Sequence, residues 1–71
     1  MHLVTVPAVR AEHVSPGMFV QAWDGADAWG EVKTVAVRPH LAEISIRLGD
    51  GERTRILPRW RLVEVAREEM D

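Results

Sequence analysis

Residues 42–57 read AEISIRLGDGERTRIL, and this stretch decides the fold class. Ile44, Ile46 and Leu48 alternate with polar residues, which is the period-two pattern of a half-buried strand. Gly49-Asp50-Gly51 is typical of a tight turn, because glycine and aspartate accept the positive φ angles that short hairpins need. Residues 52–57 then form the returning strand. The stretch therefore predicts a β-hairpin.

Similar short runs rich in Val, Ile and Thr recur along the chain between Gly, Pro and Asp residues, which is the pattern of an all-β protein. Pro7 removes one backbone donor, so it places the first strand at an edge or a bend of the sheet. Pro16 and Gly17 occupy the central positions of a type II turn. Pro58 predicts a short 3₁₀ turn over residues 58–60. The expected strands cover residues 3–9, 18–23, 29–37, 42–48, 52–57 and 61–65.

The expected architecture is an all-β, five- to six-stranded antiparallel small barrel. A chain of 71 residues has material for only one core, so residues 1–66 form a single domain. Short antiparallel strands leave exposed edges unless the sheet curls, which favours a closed or nearly closed barrel. Residues 67–71 form an acidic tail that we expect to fray.

Three motifs follow one another along the chain: Ser15-Pro16-Gly17-Met18-Phe19-Val20, Trp29-Gly30-Glu31-Val32 and Leu57-Pro58-Arg59-Trp60-Arg61-Leu62-Val63. In this order they resemble the SH3-like barrel superfamily, in which a Gly-containing turn, a central hairpin and a 3₁₀ turn precede the final strand. The resemblance covers residues 14–65 and implies an SH3-like barrel. Peptide-binding SH3 domains also have an acidic, tyrosine-rich loop, and this chain has no tyrosine. The resemblance thus implies the fold rather than binding of proline-rich peptides.

The composition limits the classes of function. The chain has no cysteine, which excludes disulfides and thiolate ligands and suits a reducing compartment. No apolar run approaches the roughly 20 residues that span a bilayer, so we expect a cytoplasmic protein without membrane contact. His2, His13 and His40 are widely separated, and Ser15 and Ser45 lack the surroundings of an activated nucleophile. We therefore expect no metal, no cofactor and no catalysis.

Arginines dominate the basic residues between positions 47 and 61. If Thr54 and Ile56 face the core, then Arg53 and Arg55 point outward, and the hairpin brings Arg47 alongside them. Such a cluster needs an anion between its members. Self-neutralisation by Glu43, by Glu52 or by the acidic tail is the favoured interpretation, and a phosphate or the carboxylates of a partner are the alternatives.

The tryptophans offer a second surface feature. Alternation places Phe19, Gln21 and Trp23 opposite a core-facing Met18, Val20 and Ala22. Trp23 and Trp29 flank one short turn, so they can meet and form a shallow apolar groove. Trp60 is expected to be the most accessible tryptophan. The competing interpretation is that these large side chains fill the small core.

These patterns predict a non-enzymatic protein-interaction module, an accessory or regulatory subunit that binds a protein or peptide partner. Binding occurs through a Trp/Arg surface or through a free strand edge, which also allows a homo-oligomer. The alternative is a nucleic-acid-binding barrel whose arginines contact phosphates, although a net charge of −2 argues against it. The partner-binding candidates are Trp23, Trp29, Arg47, Arg53, Arg55, Arg59, Trp60 and Arg61, and the nucleic-acid alternative uses Arg47, Arg53, Arg55, Arg59 and Arg61.

Overall fold

A computed structural model describes residues 2–69, and over this range the chain is all-β. The strands form one antiparallel sheet in the order β1-β6-β2-β3-β4-β5, which confirms the predicted fold class and strand number. None of the helical structure in this range is long and apolar enough to cross a membrane. The elements are β1 (His2–Arg10), a 3₁₀ helix (Ala11–His13), β2 (Phe19–Gln21), β3 (Trp29–Val37), β4 (Leu41–Leu48), β5 (Gly51–Pro58) and β6 (Leu62–Glu69).

The sheet is not closed into a barrel. Over residues 2–69, β1 pairs with β6 and β5 pairs with β4, and no pairing joins β1 to β5. These two strands are therefore the edges of the sheet. The position of β1 agrees with the edge or bend predicted from Pro7, since its pairing register shifts between Val6 and Val9. The predicted small barrel is thus unconfirmed, although the antiparallel sheet that would form it is present.

The turn before β2 agrees with its prediction, whereas the turn before β6 does not. Gly17 has a φ of 95°, and the Met18 N–H donates to the Ser15 carbonyl over 3.2 Å, as a type II turn requires. The predicted 3₁₀ turn over residues 58–60 is wrong, because the chain makes a β-turn in which the Arg61 N–H donates to the Pro58 carbonyl. The 3₁₀ helix lies at Ala11–His13 instead.

Backbone hydrogen bonds explain this exchange. The Arg61 carbonyl accepts the Ala11 N–H over 2.8 Å, and the Arg59 carbonyl accepts the Glu12 N–H over 3.0 Å. The carbonyls that follow β5 thus bond to residues far away in sequence. The 3₁₀ helix is consequently fixed to the β5–β6 turn.

The last strand is longer than predicted. β6 was expected to end at Val65, but it continues to Glu69 because β1 pairs along it, with Leu3 opposite Glu68 and Val4 opposite Arg67. Residues 67–69, which we expected to fray, are therefore paired. Residues 70 and 71 of the predicted tail lie outside the described residues.

The core lies on one face of the curved sheet. Its largest fully buried side chains come from four different strands and are Val20, Val32, Ile44, Ile46 and Val65. Gly30 permits the close approach of β3 and β4, since a Cβ there would lie 2.3 Å from Ile46 Cγ2 and 2.6 Å from the Arg47 carbonyl oxygen. Burial of Ile44 and Ile46, with Leu48 packed against them, confirms the alternation predicted for β4.

The face assignment of β5 is wrong, and the turn that precedes the strand explains the error. Leu48 pairs directly with Gly51, so the turn contains only Gly49 and Asp50 rather than three residues. A change of one residue moves every side chain of a strand to the opposite face. Leu57 is accordingly 7% exposed, whereas Ile56, predicted to face the core, is 62% exposed.

The same register places the β5 arginines on the inner face. Antiparallel partners share a face, and Arg53 lies opposite Ile46 while Arg55 lies opposite Ile44. Arg47 projects from the other face, where its partner on β5 is Glu52. The predicted grouping of Arg47 with Arg53 and Arg55 is therefore incorrect.

Candidate functional site

Asp24 joins two of the predicted arginines in what we call the Asp24 cluster (Asp24, Arg55 and Arg61). Asp24 lies between β2 and β3, and its carboxylate accepts hydrogen bonds from Arg55 Nη2 over 2.7 Å and from Arg61. Arg55 also donates from Nη1 to the Gln21 carbonyl over 3.1 Å. Its side chain is only 9% exposed. Arg55 therefore connects the β5 edge to the end of β2 across the inner face of the sheet.

These contacts favour the charged form of Asp24. The hydrogen bond from Arg55 is the largest cause that lowers the pKa of Asp24 below its ordinary value of 3.8, and the nearby charge of Arg61 lowers it further. The carboxylate is accordingly ionised at neutral pH. It neutralises two arginines that would otherwise face each other across the loop.

Glu12 forms a second set of contacts, the Glu12 cluster (Glu12, Arg59, Arg10 and His13). Arg59 Nε donates to Glu12 Oε2 over 2.6 Å, and Arg10 Nη1 lies 3.5 Å from Glu12 Oε1. His13 Nε2 lies 3.9 Å from the same oxygen and adds a charge contact only when it is protonated. The hydrogen bond from Arg59 is the main cause that lowers the pKa of Glu12 below its ordinary value of 4.5. These side chains reinforce the bond between the 3₁₀ helix and the β5–β6 turn.

The arginines are thus neutralised within the molecule, but by residues that sequence reasoning did not assign to this role. Glu43 pairs instead with Arg38 over 3.2 Å, and none of the tail residues 67–69 pairs with an arginine of either cluster. Asp24 was interpreted only as a turn residue. Its arginines lie 31 and 37 residues away, and Arg59 lies 47 residues from Glu12. No local pattern carries a signal at such separations.

Arg47 belongs to neither cluster. It is exposed on the outer face of the sheet, and its register partners are Glu31 on β3 and Glu52 on β5. Opposite charges in neighbouring register positions are favourable even when the side chains make no direct ion pair. Arg47 is therefore separated by the sheet from Arg53 and Arg55.

Trp23 and Trp29 line a shallow groove of about 760 Å³, which we call the tryptophan groove. This outcome agrees with the groove predicted from their positions on either side of one turn. Trp23 is 52% exposed, and Trp29 is half-buried. The Arg53 guanidinium carbon lies 5.4 Å from the centroid of the Trp23 ring, a cation–π geometry. The groove is lined by Trp23, Ala28, Trp29, Leu48, Gly49, Asp50, Gly51, Glu52 and Arg53.

Trp60 lies outside the tryptophan groove. At 59% exposure it is the most accessible of the three tryptophans, as expected. Its neighbours Arg59 and Arg61 are already bonded to Glu12 and Asp24. The predicted Trp/Arg surface therefore separates into a groove with Trp23, Trp29 and Arg53, a bonded set of arginines, and an isolated Trp60.

Comparison with protein-family models, with curated proteins and with solved structures finds no match. Within residues 2–69, no three His, Asp or Glu side chains lie together in a way that could hold a metal ion. The tryptophan groove combines exposed aromatic surface with charged groups at its margin. That combination suits non-covalent recognition of another molecule.

Proposed function

We propose that the chain is a non-enzymatic protein-interaction module, an accessory or regulatory subunit whose tryptophan groove binds an extended segment of a partner protein. The observation that carries this proposal is the exposure of Trp23 beside Trp29. An indole costs little conformational entropy to fix and buries a large area, which is why tryptophan is enriched at the centres of interfaces. A tryptophan needed only for the core would be covered by the chain itself.

The free edge of β5 supports the same function. Gly51, Glu52 and Arg53 begin this strand and also line the tryptophan groove. An edge strand leaves alternate N–H and C=O groups without partners, and an extended segment can bond to them. A segment in the groove is thus positioned to pair with β5. The edge would also serve a second copy of the chain, the homo-oligomer expected from the sequence.

An SH3-like curvature of the sheet belongs to this proposal. Arg55 on β5 reaches the Gln21 carbonyl on β2, although two strands lie between them in the sheet. The sheet must bend strongly for this contact to form. Its open side would then be held by side chains rather than by backbone pairing, as a partly open barrel.

The nucleic-acid alternative has less support. Arg55, Arg59 and Arg61 each hold a carboxylate of the same molecule, so a phosphate would have to displace it. Arg47 and Arg53 remain, and they lie on opposite faces of the sheet. Two separated arginines on a protein of net charge −2 provide little attraction for a polyanion.

Site-specific photo-cross-linking in extracts of the native host tests the proposal. A benzoylphenylalanine introduced at Ala28, which lines the groove, should cross-link reproducibly to one partner segment. The same group at Ala8, an exposed position of β1, is the matched control and should not. Adding Trp23→Ala should abolish the Ala28 product, whereas Trp60→Ala should preserve it.

Two results would contradict this function. Cross-linking from Ala28 that is unaffected by Trp23→Ala would mean that the groove does not bind the partner. Binding of mixed oligonucleotides that weakens steeply with salt and is lost in Arg53→Ala would favour the nucleic-acid alternative. The protein-interaction module predicts no such binding, even at low salt.

A further inference from the structure

The tryptophan groove has an unbalanced charge at its margin. Asp50 and Glu52 both line it, and neither has an ion-pair partner among the described residues. Arg53 is the one cationic side chain of the lining, and its guanidinium is directed over the Trp23 ring. The groove thus presents aromatic surface together with carboxylates that lack a cation.

We propose that the partner segment carries a basic side chain, arginine or lysine, which enters the tryptophan groove at Trp29 and pairs with Asp50 and Glu52. This inference rests on the function proposed above and adds the chemistry of the ligand. A cation is attracted both by the face of an indole and by a carboxylate. Arg53 over Trp23 is an intramolecular example of the first of these contacts, in the same groove.

The shape of a basic side chain also suits this surface. Arginine and lysine lay an aliphatic stem on apolar surface while the charged end stays near solvent. Trp29 and Leu48 supply the apolar surface, and the carboxylates lie on the β4–β5 turn and at the start of β5. An acidic segment would instead bring like charges together, and an apolar segment would leave both carboxylates unpaired.

Short capped peptides provide the probe. Four peptides, Ac-Ala-Ala-Xaa-Ala-Ala-NH₂ with arginine, lysine, leucine or glutamate at the centre, are titrated into the full chain labelled with ¹⁵N. The arginine and lysine peptides should shift the indole N–H signals of Trp23 and Trp29 but not that of Trp60. The leucine and glutamate peptides should bind at least about tenfold more weakly, the range that one cation–π contact and one charged hydrogen bond provide.

Charge-neutral variants identify the acidic partners. Asp50→Asn together with Glu52→Gln should weaken the arginine peptide by about tenfold and leave the leucine peptide unchanged. Glu64→Gln together with Glu69→Gln makes the same change in net charge on β6, outside the groove, and should leave all four affinities unchanged. Unchanged circular dichroism of both double variants shows that folding is not the cause.

The possible outcomes separate this inference from the proposed function. Equal or tighter binding of the leucine or glutamate peptide at Trp23 and Trp29 overturns the basic side chain but preserves the groove as a protein-binding site. Basic peptides that shift only Trp60, or an arginine affinity unaffected by Asp50→Asn with Glu52→Gln, also overturn it. A partner segment cross-linked at Ala28 that contains no arginine or lysine does the same. Loss of the cross-link itself, in contrast, removes the proposed function.

Discussion

Arg53 and Arg55 lie two residues apart on one face of one strand, yet they belong to different regions of the molecule. Arg55 is nearly buried and bonded to Asp24 and Gln21, whereas Arg53 is exposed over the Trp23 ring. Both arginines have the same charge and follow the same alternation. The difference arises from what lies opposite each of them: a loop carboxylate and a backbone carbonyl for one, and an open groove for the other. Position along a strand therefore does not decide whether an arginine supports the fold or faces a partner.

The two regions also differ in how their polar groups are satisfied. In the Asp24 and Glu12 clusters, each arginine already has a carboxylate of the same chain. Beside the tryptophan groove, Asp50 and Glu52 have no such partner among the described residues. The first region stabilises the bend of the sheet, and the second is available for recognition. Perturbing each region separately should therefore affect different properties.

The largest effect is expected where the groove region depends on close packing. Gly30→Ala would place a Cβ within 2.3 Å of Ile46 Cγ2, 2.6 Å of the Arg47 carbonyl oxygen and 2.7 Å of Leu48 Cδ2. Part of this contact is with backbone, so β3 and β4 must separate. We expect a loss of about 3 kcal/mol in the free energy of unfolding, measured by urea denaturation. Gly49→Ala is the control, because nothing lies within 4 Å of its Cβ position. Equal stability of the two variants would contradict the close approach.

A smaller loss is expected in the Asp24 cluster. Arg55→Ala removes a buried stem and a charged donor to the Gln21 carbonyl, which should cost about 1.5 to 3 kcal/mol of folding free energy. Arg47→Ala, on the exposed outer face, should change it by less than about 0.5 kcal/mol. Thermal unfolding followed by circular dichroism compares the two variants. If both are equally tolerated, Arg55 does not hold the bend of the sheet, and the comparison between the two regions fails.

The smallest effect is the response to acid, which belongs to the charged region alone. The folded pKa values of Asp24 and Glu12 lie below their ordinary values of 3.8 and 4.5. Their stabilisation is therefore present above the ordinary values and lost as the pH falls through the folded ones. The unfolding temperature should be level down to about pH 5 and then fall. In Asp24→Asn with Glu12→Gln the fall should be shallower, whereas Asp50→Asn should reproduce the parent curve. Parallel curves for all three proteins would disprove this role of the clusters.

Much of the fold follows from local pattern. Alternation in residues 42–48 predicted the buried face of β4, and the Pro16-Gly17 pair predicted the turn before β2. The tryptophan groove was also predictable, because Trp23 and Trp29 flank one short loop and the chain itself brings them together. The error in β5 came from one residue of turn length. Gly49-Asp50-Gly51 is compatible with a turn of two or of three residues, and these two turns give opposite faces.

Sequence alone was therefore sufficient where the physical cause acts over a few residues: strand periodicity, turn conformation and the neighbourhood of Trp23 and Trp29. It was insufficient for the partners of Arg55, Arg59 and Arg61, for the edges of the sheet and for the continuation of β6 along β1. Those features depend on contacts between segments separated by 31 residues or more, as in the Asp24 and Glu12 clusters. Such contacts arise from the bend of the whole sheet, because any exposed carboxylate can neutralise an arginine and only the folded chain selects which one is near.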